Sequence, residues 1–209
     1  GNFIPAHERI VVIEESSELQ LKLPHVLQLE TRGPDRYGRG EVTIRELFRN
    51  SLRMRPDRII VGEVRGGEAL DLIQALTSGH GGSMSTMHAD TPIDTLNRIE
   101  TMALMSDVAI PLNALRTQIA SSIDIVVQMS RFRDASRRVV QISEVLPVDE
   151  HYRYRLEDVF VMRLPEGGRK LEEGALQWTG HRPALMDEVQ GRMMAQETES
   201  LAPLFADKS

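Results

Sequence analysis

The chain has 209 residues, of which 41% are hydrophobic and 27% charged, and its formal net charge at pH 7 is −6. This length and composition are typical of a folded protein with a substantial core, and they exclude a disordered chain. The acidic balance argues against nucleic acid as a partner. The absence of cysteine excludes disulfide bonds and thiolate metal sites, and no apolar run reaches the length of a membrane-spanning helix.

Strand-like and helix-like segments alternate over the first 130 residues. Short β-branched or apolar runs predict strands, and apolar residues at helical spacing predict helices, the first of them capped by Thr43 and the third by Thr91. The predicted strands are 9–15, 23–32, 57–63, 82–89 and 124–129, and the predicted helices are 43–54, 66–79, 91–105 and 111–123. This alternation predicts an α/β fold with a mostly parallel sheet.

The pattern changes in the second part of the chain. The segments "RRVVQISEVL" (137–146) and "YRLEDVFVMRL" (154–164) predict an antiparallel pair of strands. The remainder predicts a loop-rich tail with one or two short helices. We therefore expect a core domain over residues 1–164 and a C-terminal tail over residues 165–209.

Polar side chains follow three of the predicted strands where those strands end. Glu63 follows the run Ile59–Gly62, Glu14 and Glu15 end an earlier strand, and His88 lies at the end of a third. Ligands of parallel sheets bind beyond the carboxyl ends of the strands. A carboxylate there can hold a Mg²⁺-bound water or polarise an attacking water. Taken alone, however, each residue has a simpler interpretation. The acids could merely begin loops, and the histidine could be a hydrogen-bonded packing residue.

Two longer segments resemble a known family. The segments "LRMRPDRIIVGEVRGGEALDLIQAL" and "SGHGGSMSTMHAD" resemble the Walker B and His-box regions of the type II/type IV secretion ATPases, and most of all the CpaF-like branch of Flp/Tad pilus assembly. The resemblance continues from "RIVVIEESSELQL", similar to the Asp box, into "TGHRPALMDEV". It implies a RecA-like fold, a ring that is usually a hexamer, and hydrolysis of ATP with Mg²⁺ at the subunit interfaces. It also implies a cytoplasmic protein, peripheral to the inner membrane, that drives a pilus or secretion machine through inner-membrane platform proteins.

The resemblance also implies roles for acids and histidines. Glu63 matches the Walker B acid that activates the attacking water. Glu14 and Glu15 fall at the Asp box, near the Mg²⁺ ion and the water, and the sequence leaves open which of the two serves. His80 and His88 fall in the His box, which senses the γ-phosphate.

Four arginines occupy positions from which they could reach ATP or a neighbouring subunit. Arg53, Arg55 and Arg65 lie where family arginines contact phosphates or interface partners, and Arg45 is a further candidate. The alternative is that most of these arginines belong to a solvated helix face. The sequence does not single out one of them.

The sequence departs from the family in one respect. A RecA-like ATPase binds phosphates with the motif G-x-x-x-x-G-K-[ST], which is absent here. The segment Gly33–Gly40 has similar glycine spacing but no Lys and no Ser or Thr, and we interpret it as a false match. We expect an N-terminally truncated ATPase that lacks its first strand and its P-loop and would not bind ATP tightly alone. The alternatives are a non-catalytic structural or regulatory ring subunit, or an unrelated α/β binding domain.

Overall fold

A computed structural model describes residues 3–77, 79, 81–164 and 174–186 of the chain. The chain divides into two compact units, one of Gly1–Ala89 and Thr95–Ser122 and the other of Asp90–Asp94 and Ile123–Ser209. The domain boundary predicted after residue 164 falls at the start of segment 165–173, outside the described residues. That boundary stays a prediction.

The first unit contains a parallel four-stranded sheet in the order β2-β1-β3-β4. Its strands are β1 (Ile10–Glu14), β2 (Val26–Glu30), β3 (Arg58–Val61) and β4 (Met84–Ser85). Every residue of β1 is buried, because this strand lies between two neighbours and is covered on both faces, as is typical of a parallel sheet. The predicted parallel sheet is confirmed.

Helices accompany this sheet. They are α1 (Ile44–Ser51), followed by a 3₁₀ turn (Leu52–Met54), α2 (Glu68–Thr77), α3 (Pro92–Leu104) and α4 (Leu112–Ser122). Thr43 caps α1 as predicted, in a reciprocal arrangement in which its hydroxyl accepts from the Glu46 N–H and the Glu46 carboxylate accepts from the Thr43 N–H. Phe48 and Ile73 are buried, so α1 and α2 present apolar faces to the core.

The second unit contains an antiparallel four-stranded sheet in the order β5-β6-β7-β8. Its strands are β5 (Ile125–Arg131), β6 (Arg137–Leu146), β7 (Arg155–Arg163) and β8 (Ala175–Trp178). The predicted pair is confirmed as β6 and β7. Strand β8 lies in the segment predicted to be loop-rich. The sequence did not predict this strand, because four residues are too few for a period-2 pattern to be recognised.

No helix among the described residues combines the length and the apolarity that a membrane span requires.

Candidate active site

The neighbouring strands β1 and β3 deliver acidic residues to the same edge of the parallel sheet. The Gly62 N–H donates to the Ile13 carbonyl at 2.8 Å, which extends the pairing of the two strands to their carboxyl ends. Glu14 is the last residue of β1, Glu15 follows it, and Glu63 lies two residues beyond β3. The structure therefore places these acids at one edge, where ligands of parallel sheets bind.

Arg65 bridges two of these acids. Its Nη2 lies 2.6 Å from Glu63 Oε2, and its Nη1 lies 3.1 Å from Glu15 Oε2. The Glu63 side chain is 22% exposed, whereas those of Arg65 and Glu15 are 57% and 54% exposed. One guanidinium thus connects the ends of β1 and β3 from the solvent side.

His88 approaches Glu63 from a third direction, with its Nε2 3.3 Å from Glu63 Oε1. The predicted strand 82–89 is shorter than expected, because only Met84–Ser85 pair as a strand. Beyond it, the Thr86 hydroxyl donates to the Gly62 carbonyl, and the Val64 N–H donates to the Thr86 carbonyl at 3.1 Å. These bonds hold the segment before His88 against the Glu63 loop, although the imidazole itself is mostly exposed.

The surroundings of Glu63 keep its carboxylate ionised. The hydrogen bond from Arg65 holds the pKa of Glu63 below its usual value although partial burial opposes this, and the electrostatic influence of Arg65, His88 and Arg98 lowers that pKa further. Glu63 is therefore available at neutral pH as an acceptor for a water or for a hydrated cation. No sequence pattern points to Arg98, because it lies on α3, distant along the chain from Glu63.

Glu14 and Glu15 have different environments although they are adjacent. Glu14 is buried, and its Oε1 accepts the backbone N–H groups of Glu18 and Leu19, each at 3.1 Å. A Cβ atom at Gly62 would lie 3.1 Å from Glu14 Cγ, so the absence of a side chain at Gly62 makes room for this acid. Glu14 holds the chain after β1, whereas the Glu15 carboxylate faces Arg65.

The loop that carries Arg65 is fixed by a residue that the sequence did not suggest. Glu68 is the first residue of α2, and its Oε1 accepts the N–H groups of Arg65 at 2.8 Å and Gly66 at 2.9 Å. An acid in the first turn of a helix is common, and the sequence contains no signal for this particular pair of bonds. The backbone at Arg65 is thereby held while its side chain extends into solvent.

The structure places the other predicted site residues elsewhere or outside the described part. Arg53 and Arg55 precede β3 and so lie toward the end of that strand opposite Glu63. Arg45 on α1 pairs with Asp71 at 2.7 Å and with Asp107 at 3.5 Å. His80 lies outside the described residues. The roles predicted for all four residues stay predictions.

The glycine-spaced segment Gly33–Gly40 forms a turn centred on Asp35. The Asp35 Oδ1 accepts the N–H groups of Tyr37 at 2.8 Å and Arg39 at 2.9 Å. In a phosphate-binding loop, such backbone N–H groups point at the ligand. Here they are donated to a side chain of the same turn, which agrees with the interpretation of a false match.

The donor set at the sheet edge suits a hydrated Mg²⁺ ion. Glu15 and Glu63 provide carboxylate oxygens, which Mg²⁺ binds directly or through its waters. Within the described ranges, no three His, Cys, Asp or Glu residues cluster closely enough to hold a metal ion by themselves. A metal at this edge would therefore need further oxygen ligands, as Mg²⁺ obtains from water and nucleotide phosphates.

Comparisons with known proteins agree with this α/β architecture. A family model described as "Type II/IV secretion system protein" matches residues 2–170. The type IV secretion system protein PtlH of Bordetella pertussis is 43% identical over 146 residues, covering 66% of this chain and 42% of PtlH. The conjugal transfer protein TrbB of Rhizobium radiobacter is 29% identical over 163 residues, covering 74% of this chain and 46% of TrbB.

A solved structure is similar as well. The VirB11 ATPase of the Brucella suis type IV secretion system, crystallised with sulphate, aligns with a TM-score of 0.59 and 32% identity, over 68% of this chain and 41% of VirB11. The chain belongs to the type II/IV secretion system protein family. It is homologous to type IV secretion and conjugal transfer proteins, and the predicted RecA-like fold class is confirmed. The chain spans less than half the length of these relatives.

Proposed function

We propose that this chain is part of a Mg²⁺-dependent ATPase that drives a pilus-assembly or secretion machine of the Flp/Tad type, in the CpaF-like branch of the family. The phosphate cradle would come from a part of the protein outside this sequence. Family membership supports ATP hydrolysis. The coverage of less than half of each relative supports a missing segment.

The observation that carries the proposal is the position of Glu63. Its ionised carboxylate lies beyond β3, between Arg65 and His88. There it can accept a hydrogen bond from an attacking water, as the water-positioning residues of other NTPases do. Glu15, rather than the buried Glu14, would contact the waters of the Mg²⁺ ion, because Glu15 faces Glu63 through Arg65. The histidines His80 and His88 would respond to the γ-phosphate.

The remaining arginines fit an assembled ring. Arg53 and Arg55 are exposed at the end of β3 opposite Glu63, so within one chain they are badly placed to reach a nucleotide at Glu63. In a homo-oligomeric ring, such as a hexamer, they would face the site of a neighbouring subunit. The ring would lie in the cytoplasm at the inner membrane, against platform proteins of the machine.

The test is Glu63→Gln in a longer version of the protein that carries the phosphate-binding motif G-x-x-x-x-G-K-[ST]. The substitution keeps the size of the side chain but removes its charge, so we expect Mg²⁺-ATP to bind with unchanged affinity. Steady-state turnover should fall roughly 10²- to 10⁴-fold, the usual contribution of a group that handles the proton of the attacking water.

Glu30→Gln is the matched control, because Glu30 ends β2 at the same edge and is exposed. We expect turnover within about twofold of wild type for this control, as for most surface substitutions. Wild-type turnover in Glu63→Gln would remove Glu63 from the catalytic role.

A non-catalytic ring subunit is the second candidate, and it differs from the first in whether the longer protein carries the phosphate-binding motif G-x-x-x-x-G-K-[ST]. If the longer protein also lacks that motif, ATP should neither bind tightly nor be hydrolysed. The chain would then contribute to a ring without turning over nucleotide. Equilibrium binding of a fluorescent ATP analogue distinguishes the two candidates.

A further inference from the structure

We propose that Arg65 is a positioning residue that takes the place of the hydrated divalent cation between Glu15 and Glu63, and that Mg²⁺ displaces it. The inference rests on the proposed function for the identity of the ion. It goes further because it names the side chain that leaves the two carboxylates when the cation binds.

The first argument is the bridge itself. A single guanidinium contacts Glu63 Oε2 at 2.6 Å and Glu15 Oε2 at 3.1 Å, through different nitrogens. Two carboxylates at the ends of neighbouring strands repel each other unless a positive charge lies between them. Arg65 supplies that charge and fixes the separation of the two acids in the absence of a metal ion.

The second argument is that the guanidinium can leave. More than half of the Arg65 and Glu15 side-chain surfaces are exposed, and exposed ion pairs are weak because water competes for both partners. The loop backbone does not have to move, since Glu68 holds the N–H groups of Arg65 and Gly66. Rotation of this one side chain therefore frees the Glu15 carboxylate and Glu63 Oε2, while Glu63 Oε1 stays near His88.

The third argument is chemical complementarity. A divalent cation carries twice the charge of a guanidinium, and carboxylate oxygens are preferred ligands of Mg²⁺. A hydrated ion between Glu15 and Glu63 would satisfy both acids through its waters. The released Arg65, a planar donor suited to phosphate, would remain at the same edge of the sheet.

The test is a titration of this 209-residue chain with MgCl₂ alone, measured by isothermal calorimetry at about 0.1 M ionic strength, where distant charges are screened more than direct contacts. We expect Arg65→Gln to bind Mg²⁺ roughly three- to tenfold more tightly than the wild-type chain, because two exposed and therefore weak ion pairs no longer compete. Restoring a smaller cation in Arg65→Lys should give an intermediate affinity, since one ammonium lacks the fork that contacts two carboxylates.

Two controls separate the bridge from a general charge effect. Arg98→Gln removes a positive charge that acts on Glu63 without a hydrogen bond to it, and it should change Mg²⁺ affinity by less than about threefold. Adding Glu15→Gln to Arg65→Gln should abolish the gain in affinity. Circular dichroism confirms that each variant is folded, as expected for exposed substitutions.

The proposal is overturned if Arg65→Gln leaves Mg²⁺ affinity unchanged, or if Arg98→Gln raises it as much as Arg65→Gln does. The titration contains no nucleotide, so its result is independent of turnover. A catalytic Glu63 with no competition from Arg65 would refute this inference alone. Competition from Arg65 together with full turnover in Glu63→Gln would refute the proposed function alone.

Discussion

Each unit of the chain contains a glutamate paired with a histidine that is distant in sequence, and these two pairs have opposite surroundings. Glu63 and His88 are 3.3 Å apart, with side chains 22% and 82% exposed, and Glu63 is shared with Arg65. Glu144 and His181 are 2.6 Å apart, with side chains 6% and 30% exposed. The second Glu144 oxygen accepts the Ala184 N–H at 2.7 Å.

The difference shows that partners and burial, rather than residue type, determine what such a pair can do. Both oxygens of Glu144 are used within the fold, so this pair fixes the segment after β8 to β6. The partners of Glu63 are exposed side chains, which a substrate or a metal can displace at little cost. A glutamate-histidine pair is therefore a candidate for chemistry only where its partners are exchangeable.

The largest expected effect on stability comes from breaking the buried pair. Glu144→Ala leaves the Ala184 N–H and the His181 ring without their carboxylate, and we expect the free energy of unfolding to fall by about 2 kcal/mol. Glu63→Ala removes an exposed pair and should lower it by less than about 1 kcal/mol. Urea unfolding measures both values, followed by circular dichroism for Glu63→Ala and by tryptophan fluorescence for Glu144→Ala. Trp178 is a specific probe of the second unit because it is the chain's single tryptophan and its Nε1–H donates to the His181 carbonyl.

Glu157→Ala is the control for that comparison. Glu157 lies opposite Glu144 in the β6–β7 ladder but is exposed, so its removal should be close to neutral. Equal losses in Glu144→Ala and Glu63→Ala would contradict the distinction between the two pairs.

The site around Glu63 could be predicted from the sequence better than the Glu144–His181 pair, for a physical reason. Buried apolar runs mark β1 and β3, and parallel strands end at one edge, so Glu14, Glu15 and Glu63 could be placed together in advance. Glu144 and His181 are 37 residues apart, and no local pattern links them. The sequence also could not distinguish Glu14 from Glu15, because the choice depends on hydrogen bonds to the following loop and on the Arg65 side chain.

Two turns contain a further kind of carboxylate, one that accepts backbone N–H groups of its own turn. Asp35 accepts the N–H groups of Tyr37 and Arg39, and Asp149 accepts those of His151 and Arg153. The two turns share a left-handed residue three positions after the aspartate. It is a glycine in the first turn and Tyr152 in the second.

The free energy of unfolding should fall by about 1 kcal/mol when a side chain is added at the left-handed glycine of the first turn. Gly38 has φ +72° with no atom near an added Cβ, so Gly38→Ala should destabilise the chain by backbone strain alone. Gly33→Ala is the matched control, with equal space and no left-handed backbone, and it should be neutral or slightly stabilising. Thermal unfolding of both variants measures the difference, and equal melting temperatures would exclude strain at Gly38.

The smallest change in stability is expected at the second turn, and it should depend on pH. The Arg153 backbone N–H, assisted by the Arg153 side chain and the His151 N–H, lowers the pKa of Asp149 from 3.8 to about 2. A lowered pKa in the folded state stabilises the protein above the unfolded value, and this contribution disappears as pH falls from about 4 toward 2. Asp149→Asn should therefore be less stable than wild type at pH 7, and the difference should shrink in that acidic window. Urea unfolding at pH 7 and at pH 3 measures it. A difference that is the same at both pH values would mean that the asparagine acts through changed turn geometry, and that the charge of Asp149 contributes nothing.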